Sequence, residues 1–250
     1  MAIEEVDRLL EHYQRAFVEL DPLTYLVQPA TPTGIDNAFQ VIEHPEIDPN
    51  KPTVFIVIGP SGAGKDTLVD YLVENEMVQK LTTATSRPRR VAENEPEDSY
   101  VWMRQRGDSE TEDEYIQSLI LEHELVEYDV HNGRLYGLPR SSIKTDGNIP
   151  AVIRTENEGF KTIKKELGSD FNVISIFVVP DSFGTLVNRI KDRENLRLRV
   201  VKAIKEVEEA KNIANYVILN PDEVDQGTAA TAKEAISRLI NRILKRDIEA

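Results

Sequence analysis

The feature that most constrains the fold of this chain is a strand, a glycine-rich turn and a helix in immediate succession. The segment TVFIVI, residues 53–58, is a continuous apolar, β-branched run, typical of a parallel strand buried on both faces. It leads directly into GPSGAGKDT, residues 59–67, and then into helical spacing over residues 67–77. Glycines at the mouth of a helix let backbone N–H groups point inward, so this arrangement predicts a cradle for phosphate. The competing interpretation is a purely structural glycine turn.

The predicted phosphate loop departs from the usual pattern at one position. Lys65 stands where a lysine reaches the outer phosphates, but Asp66 follows it instead of Ser or Thr, and the hydroxyl comes one place later, at Thr67. A carboxylate is a hard oxygen ligand, so Asp66 and Thr67 are the candidate Mg²⁺ ligands. The candidate nucleotide-binding residues are Gly59, Ser61, Gly62, Ala63, Gly64, Lys65, Asp66 and Thr67.

Strand-like and helix-like segments alternate through most of the remaining chain. The predicted strands cover residues 150–155, 173–180 and 215–220, and the predicted helices cover residues 159–167, 182–193 and 228–247. This alternation predicts an α/β fold on a mostly parallel sheet.

Two regions break the alternation. Residues 81–145 are polar and rich in arginine and acids, and we interpret them as a subdomain inserted on the ligand side of the sheet. Residues 1–52 combine an amphipathic helix pattern over residues 3–20 with a proline-containing stretch. We interpret them as an extension that precedes a domain of residues 53–250.

The composition argues against several classes of function. With 44 acidic and 30 basic residues, the formal net charge is −14, which disfavours a general nucleic-acid binder. The chain has no cysteine, which excludes disulfides and thiolate metal sites, and its acidic first residues do not resemble a signal peptide. No apolar run reaches the length of a membrane span. We expect a cytoplasmic protein, a monomer or homodimer, with small-molecule partners.

Two arginine clusters stand out in so acidic a chain. One is TSRPRR, residues 85–90, and the other is RIKDRENLRLR, residues 189–199. Guanidinium groups match phosphate oxygens in a bidentate manner, and phosphoryl transfer depends on such positioning and charge stabilisation. We expect one cluster to hold an acceptor phosphate and the other to close over a donor. The competing interpretation is surface arginines paired with nearby acids, which we favour for Arg197.

From about Thr53 to the C-terminus, the sequence resembles the guanylate kinase family in several ordered motifs. GPSGAGK is similar to the family's phosphate loop, TTATSRPRR to its acceptor-binding segment, and EYDVHNGRLYG to the motif that follows. LVNRIKDR resembles the helix that enters the family's lid, here residues 189–202. The resemblance implies an α/β fold of the P-loop NTPase type, with a mostly parallel five-stranded sheet in three α/β/α layers, an inserted acceptor-binding subdomain and a short lid. It also implies ATP and Mg²⁺ as cofactors, and phosphoryl transfer to a nucleoside monophosphate, above all GMP or dGMP.

The resemblance also assigns roles to individual residues. Arg87 and Arg90 match the arginines that hold the acceptor phosphate, and Arg193 and Arg199 match lid arginines that contact ATP. The candidate catalytic residues are Lys65, Arg90, Arg193 and Arg199, and the candidate substrate-binding residues are Thr83, Arg87, Arg90, Tyr100, Glu127, Tyr136 and Glu156.

Glu127 matches the acid with which the family reads guanine, and its chemistry supports that role independently. A carboxylate accepts two hydrogen bonds side by side, and guanine offers N1–H and an exocyclic amine in that arrangement, whereas adenine does not. A site of this kind rejects a base that lacks the donors, because its buried acid would be left unpaired. The competing interpretation is a surface acid on a strand.

The sequence departs from the family pattern in four places. Asp66 replaces the loop hydroxyl, Leu138 stands where Ser or Thr is usual near the base, Arg154 stands where an acid is common, and the first 50 residues have no recognised counterpart. The lid is also shorter between Arg193 and Arg199.

These departures keep two alternatives open. A ribose 1,5-bisphosphate phosphokinase of the same fold would carry Gly-Lys-Asp in its loop, as this chain does, but such enzymes tend to lack counterparts of Glu127 and Arg90. An inactive guanylate-kinase-like binding module would usually lack the loop lysine, which is present here as Lys65.

Overall fold

The computed structural model describes residues 39–90, 95–131, 133–144, 149–193, 195–221 and 231–246, together with Arg8 and Glu11. The strands are β1 (Gln40–Val41), β2 (Thr53–Ile58), β3 (Gln79–Lys80), β4 (Ala84–Thr85), β5 (Val101–Trp102), β6 (Leu125–His131), β7 (Arg134–Pro139), β8 (Ala151–Arg154), β9 (Asn172–Val179) and β10 (Tyr216–Leu219). The α-helices are α1 (Lys65–Glu74), α2 (Glu112–Glu122), α3 (Asn157–Leu167), α4 (Phe183–Ile190), α5 (Leu196–Ile213) and α6 (Ala232–Arg246). Most of the predicted helix over residues 3–20 lies outside the described residues.

The main sheet has six strands in the order β1-β10-β9-β2-β8-β3. Strands β10, β9, β2, β8 and β3 are parallel, which confirms the predicted five-stranded parallel sheet. Strand β1 adds an antiparallel edge beside β10 that the sequence did not predict, and it comes from the N-terminal extension.

Helices cover both faces of this sheet, as predicted for three layers. Alternate residues of β2 point to opposite faces: Val54, Ile56 and Ile58 pack in one core, and Phe55 and Val57 pack in the other. Helices α3, α4 and α5 contribute to the first core, while α1 and α6 contribute to the second. Burial on both sides explains why β2 is a continuous apolar run rather than an alternating one.

The predicted inserted subdomain forms a second sheet of four strands in the order β5-β4-β7-β6, with its own small core under α2. The acidic segment over residues 107–114 ends in a capping box, in which Thr111 and Glu114 satisfy each other's backbone N–H groups, and α2 begins at Glu112. Val126 and Leu138 pack in the core of the main sheet, so the two sheets share apolar contacts.

The predicted lid is compact. Helix α4 ends at Ile190, earlier than the predicted end at residue 193, and α5 begins at Leu196. The predicted lid over residues 189–202 therefore consists mainly of a turn and the beginning of α5.

None of the described helices is long and apolar enough to cross a membrane.

Candidate functional site

The glycine-rich turn joins the carboxyl end of β2 to the amino end of α1, where its backbone needs glycine. Gly59 has a φ of +137°, and a Cβ there would lie 2.2 Å from the carbonyl oxygen of Val178. Gly64 has a φ of +92°, and a Cβ there would lie 2.2 Å from Nδ2 of Asn220. Both positions combine a left-handed backbone with a close neighbour, so side chains are excluded and the loop stays wrapped around the helix end.

Lys65, the predicted phosphate-contacting lysine, bends back over this loop. Its Nζ donates to the carbonyl oxygens of Gly59, at 2.5 Å, and Pro60, at 3.0 Å. Burial lowers the pKa of Lys65, whereas the acids Glu206 and Glu156 act to raise it. The ammonium is therefore held at the loop by carbonyl groups that a bound phosphate would replace.

Two predicted lid arginines converge on one residue of the loop. Arg193 and Arg199 each direct Nη1 at Oγ of Ser61, at 3.1 and 3.2 Å. The short turn between α4 and α5 thus places both guanidinium groups beside the predicted phosphate cradle, next to the loop that carries Lys65.

Two further residues, Asn220 and Arg189, hold the loop in shape, although neither was among the predicted site residues. Asn220 follows β10, and its Nδ2 donates to the carbonyl oxygen of Ala63 at 2.8 Å. Arg189 donates to the carbonyl oxygens of Gly62, at 3.3 Å, and Asn220, at 2.8 Å. Both act on backbone groups of the loop, which leave no signature in a sequence motif. The only available signal was their position at the carboxyl end of a strand and in the arginine cluster.

Asp66 and Arg154 form an ion pair across the mouth of the site, between Oδ1 of the aspartate and Nε of the arginine. Asp66 is in the first turn of α1, and Arg154 is the last residue of β8. Each was a departure from the family pattern in the sequence, and the structure places them against each other.

The predicted acceptor-phosphate residues gather around Arg87. Its guanidinium lies 5.4 Å from the ring centre of Tyr100 and 5.5 Å from that of Trp102. It makes a bidentate pair with Glu95, at 2.9 and 2.5 Å, which raises the pKa of the guanidinium, and the neighbouring Tyr136 adds to that rise. Arg87, Tyr100 and Tyr136 are therefore neighbours, as the sequence predicts.

Arg90 contacts the Glu95 carboxylate through its backbone. Its backbone N–H donates to Oε2 of Glu95 at 2.8 Å, and its side chain is exposed. The hydrogen bonds from Arg87 and from this backbone group hold the pKa of Glu95 down to about 2. Glu93, which follows the TTATSRPRR segment, lies outside the described residues.

Glu127, the predicted base-reading acid, lies on β6 and faces the cleft between the two sheets. Its Oε1 is 3.4 Å from Oγ1 of Thr155, and a Cβ on Gly159 would lie 2.7 Å from the same oxygen. Burial, followed by the charge of Asp129, raises the pKa of Glu127 to about 7. Glu127 is half-buried and lines the cleft, which favours the predicted base-reading role over that of a surface acid on a strand.

Glu156 and Glu206 add negative charge next to the donor side. Glu156 pairs with Lys202 from α5, and both side chains line the cleft. Glu206 is buried, and its pKa is raised to about 7 by burial and by Glu156. The sequence predicted Glu156 as a substrate-binding residue; its Oε2 is paired with Lys202, and its Oε1 is the oxygen left for a substrate.

Leu138 does not lie where the sequence placed it. It was expected near the base, but its side chain is fully buried in the core of the main sheet and does not line the cleft. A register irregularity between Leu125 and Glu127 accompanies the pairing of Glu127 with Leu138. The neighbouring Gly137 lines the cleft instead.

One cleft of about 1690 Å³ brings the two halves of the site together. This exceeds the volume of a pocket for a single drug-sized ligand, roughly 300–1,000 Å³, and suits two substrates side by side. Its walls include, of the predicted residues, Ser61, Gly62, Gly64, Lys65, Asp66, Thr67, Thr83, Tyr100, Glu127, Tyr136, Glu156, Arg193 and Arg199. Gly59, Ala63, Arg87 and Arg90 are not among its lining residues in the described part of the chain.

The donor set for a metal ion is small. No group of three or more His, Cys, Asp or Glu side chains in the described residues is arranged to hold one. Mg²⁺ in phosphate-transfer sites is commonly held by one or two carboxylates, water and substrate phosphates. Asp66 and Thr67 both line the cleft and could supply oxygen ligands to a Mg²⁺ ion held mainly by water and phosphates. Oδ1 of Asp66 is paired with Arg154.

The sequence is similar to those of known guanylate kinases. The family model described as guanylate kinase matches residues 51–239. The chain is 29% identical to guanylate kinase 2, chloroplastic/mitochondrial, of Oryza sativa subsp. japonica over 212 residues, which cover 82% of this chain and 70% of that protein. It is 31% identical to a guanylate kinase of a Synechococcus species over 190 residues, which cover 73% of this chain and 95% of that protein.

The fold has a solved counterpart. A crystal structure of guanylate kinase from Anaplasma phagocytophilum superposes with a TM-score of 0.54 at 22% sequence identity, covering 79% of this chain and 87% of that chain. At this identity the likeness supports the fold, and the chemistry rests on the side chains described above.

Proposed function

The chain belongs to the guanylate kinase family, and from that premise we propose that it transfers the γ-phosphoryl group of ATP to GMP or dGMP. The observation that carries the proposal is a cleft that joins a phosphate loop to the half-buried carboxylate of Glu127. Lys65 lies at one end of it, and Glu127 and Tyr136 lie at the other. The products would be ADP and a guanosine diphosphate.

On the donor side, Lys65, Arg193 and Arg199 would stabilise the charge of the transferring phosphoryl group. In phosphoryl transfer the negative charge is spread over the transferring group, and catalysis is mainly positioning and electrostatic stabilisation. Lys65 is already directed at the loop, and Arg193 and Arg199 meet at Ser61 within the same loop. With a nucleotide bound, phosphate oxygens would take the place of the carbonyl and hydroxyl groups that these cations now contact.

On the acceptor side, the base and the phosphate would be held by different groups. Glu127 would accept hydrogen bonds from N1–H and the exocyclic amine of guanine, and Thr83, which also lines the cleft, would direct its hydroxyl at the base. Arg87, Tyr100 and Tyr136 would hold the phosphate. Arg87 must first exchange the Glu95 carboxylate for the phosphate of the substrate.

Mg²⁺ would enter the site with ATP. Asp66 and Thr67 are the residues of this chain that would reach it, and the ion would supply positive charge against the phosphates. The protein's own contribution is to orient the phosphates with the loop and to exclude water with the arginines of the lid.

Neither alternative is favoured. A ribose 1,5-bisphosphate acceptor has no base, so it would leave the half-buried carboxylate of Glu127 without donors. An inactive binding module would not need Lys65, Arg193 and Arg199 gathered at one loop.

The test is ADP production from Mg·ATP with GMP, dGMP, AMP, UMP, CMP and ribose 1,5-bisphosphate offered separately. We expect turnover with GMP and dGMP alone. Glu127→Gln should reduce kcat/KM for GMP by roughly a hundredfold or more, since a site built on a paired polar group discriminates strongly. Glu166→Gln changes an acid that pairs with Arg140 outside the cleft and is the matched control. Turnover with ribose 1,5-bisphosphate alone, or with none of the six, would overturn the proposal.

Cytoplasmic location and a monomeric or homodimeric state remain predictions. Sedimentation of the purified chain tests the second one, and an assembly larger than a dimer would contradict it.

A further inference from the structure

Asp66 and Arg154 are two departures from the family pattern that form one structural unit. We propose that Arg154 is a phosphate-binding residue of the donor site and that Asp66 is the residue that positions it. The pair would then give the loop a guanidinium for ATP where a hydroxyl and an acid are usual. This inference rests on the proposed function, because it assumes that ATP occupies the loop.

The register of the sheet puts Arg154 at the mouth of the loop. Strand β8 runs parallel to β2, and Arg154 lies opposite Val57, just before the loop begins at Gly59. Asp66 is in the first turn of the helix that leaves the same loop. An arginine at the end of β8 can therefore reach the phosphate cradle without any rearrangement of the backbone.

Both side chains face the cleft rather than a dry interior. The side chain of Arg154 is 41% exposed, that of Asp66 is 64% exposed, and both line the cleft. The ion pair uses Nε of the guanidinium, and an arginine carries four more N–H donors on its Nη groups, suited to bidentate contact with phosphate. A guanidinium held along one edge is thus oriented to bind along another.

The electrostatics of the loop require such a partner. A carboxylate at the first turn of α1 would lie beside the phosphates of a bound nucleotide and repel them. Arg154 neutralises that charge. The charge of Arg154 also adds to the effect of burial in lowering the pKa of Lys65. Without Arg154, Asp66 would weaken nucleotide binding whenever no metal ion lies between it and the phosphates.

A different role would leave the same contact in the structure. In the rival role, Asp66 is a metal ligand only and Arg154 is its resting counter-ion. In that case Arg154 would contribute nothing to nucleotide binding in the absence of metal. Metal-free binding of ATP separates the two roles.

The decisive experiment is calorimetric titration of ATP into the protein, in EDTA and in excess Mg²⁺, for the parent chain and Arg154→Met. Methionine keeps the length of the side chain and removes its charge. We expect Arg154→Met to weaken ATP binding in EDTA by about tenfold or more, since hydrogen bonds to charged groups are among the strong ones. Arg140→Met is the matched control, because Arg140 pairs with Glu166 outside the cleft, and its ATP affinity should equal that of the parent.

The positioning role of Asp66 is tested by Asp66→Asn in both backgrounds. In Arg154→Met, the asparagine should strengthen metal-free ATP binding, since it removes a carboxylate that no longer has its cation. In the parent, the same change should give no gain, because it also releases Arg154. An equal gain in both backgrounds would show that the two residues act independently and would overturn the positioning role.

Arg154→Lys provides a second readout and a safeguard against misfolding. Lysine keeps the charge but lacks the fork, so its metal-free ATP affinity should fall between that of the parent and Arg154→Met. Thermal unfolding of each variant verifies the fold, and Arg154→Lys decides the question if Arg154→Met is unstable. If Arg154→Met or Arg154→Lys binds ATP in EDTA as tightly as the parent does, this inference is overturned and the proposed function is not. If the parent chain binds no ATP, the proposed function is overturned as well.

Discussion

Arg87 donates two parallel hydrogen bonds to the carboxylate of Glu95, with Nη1–Oε2 at 2.9 Å and Nη2–Oε1 at 2.5 Å. The backbone N–H of Arg90 contacts the same carboxylate at 2.8 Å. The acid thus occupies the donors that the acceptor phosphate is expected to use. Because its pKa is held down to about 2, Glu95 remains charged throughout the physiological range.

Glu95→Ala should therefore strengthen GMP binding. The substitution removes a competitor for the Arg87 guanidinium, and we expect the KM for GMP to fall severalfold with little change in kcat. Glu97→Ala is the control, since Glu97 is 90% exposed and contacts Arg89 only at 3.8 Å. A higher KM in Glu95→Ala would instead mean that Glu95 orients Arg87 for the phosphate.

GMP binding should depend on pH through Glu127. Its pKa is raised to about 7 by burial and then by Asp129, so the carboxyl is protonated below that pH and cannot accept both guanine donors. We expect GMP affinity to rise between about pH 6 and pH 8, by up to tenfold per unit on the acid side. Asp129→Asn should move the profile to lower pH, because it removes a like charge. Calorimetric titration of guanosine, which has no ionisable phosphate, measures the affinity for the base at each pH. Identical pH profiles for the parent and Asp129→Asn would contradict this prediction.

Glu127 should also make the unliganded protein less stable as pH rises. Burial raises its pKa to about 7 in the folded chain, against 4.5 for an ordinary glutamate, so its neutral form is favoured by folding. That contribution is fully present below the lower value and is lost as pH rises through the higher one. Glu127→Gln removes the dependence, so its Tm relative to the parent should increase from about pH 5 to pH 8. A constant difference across this range would show that Glu127 titrates normally.

The two arginines that meet at Ser61 should be needed for turnover. Arg193→Met or Arg199→Met should lower kcat by roughly a hundredfold or more, since arginines that stabilise transferring phosphoryl groups contribute at least that much. Arg197→Met is the matched control because Arg197 lies on the same helix as Arg199, is exposed and does not line the cleft. Equal kcat values for all three variants would remove the lid arginines from the mechanism.

Lys65→Ala should abolish measurable ADP production while leaving the fold intact. The Lys65 ammonium contacts loop carbonyls rather than a hydrophobic core, so its loss should not unfold the protein. Lys165→Ala changes an exposed lysine of α3 that does not line the cleft, and it should retain full activity. Undiminished turnover in Lys65→Ala would show that this loop is not the donor site.

The parts of the fold that could be predicted are those specified by local pattern. Strand β2 and helix α1 follow from a buried apolar run, a glycine turn and helical spacing over adjacent residues. Strands β3 and β4 are two residues each, and they exist because β8 and β7 provide hydrogen-bond partners from distant parts of the chain. No window of sequence around Gln79 or Ala84 contains that information.

The same division holds in the site. Lys65 and Glu127 could be found because motif spacing and chemistry both point to them. Asp66 and Arg154 were each recognised as unusual, but their pairing depends on the register between β2 and β8. Leu138 was misplaced because which sheet it faces is decided by the irregular pairing of β6 and β7 rather than by its neighbours in sequence.

The short strand β1 has a consequence for where this domain begins. Without Gln40 and Val41, the outer edge of β10 would present a row of backbone groups ready to pair with another chain. The segment that follows is also tied down, because Nδ2 of Asn172 donates to the carbonyl oxygens of Asp48 and Lys51 at 2.9 Å. A chain trimmed to start at Thr53 should self-associate through that edge, and light scattering would show it, whereas one that starts before Phe39 should not. We therefore expect residues 39–52, assigned to the N-terminal extension in the sequence, to protect this edge of the sheet from aggregation.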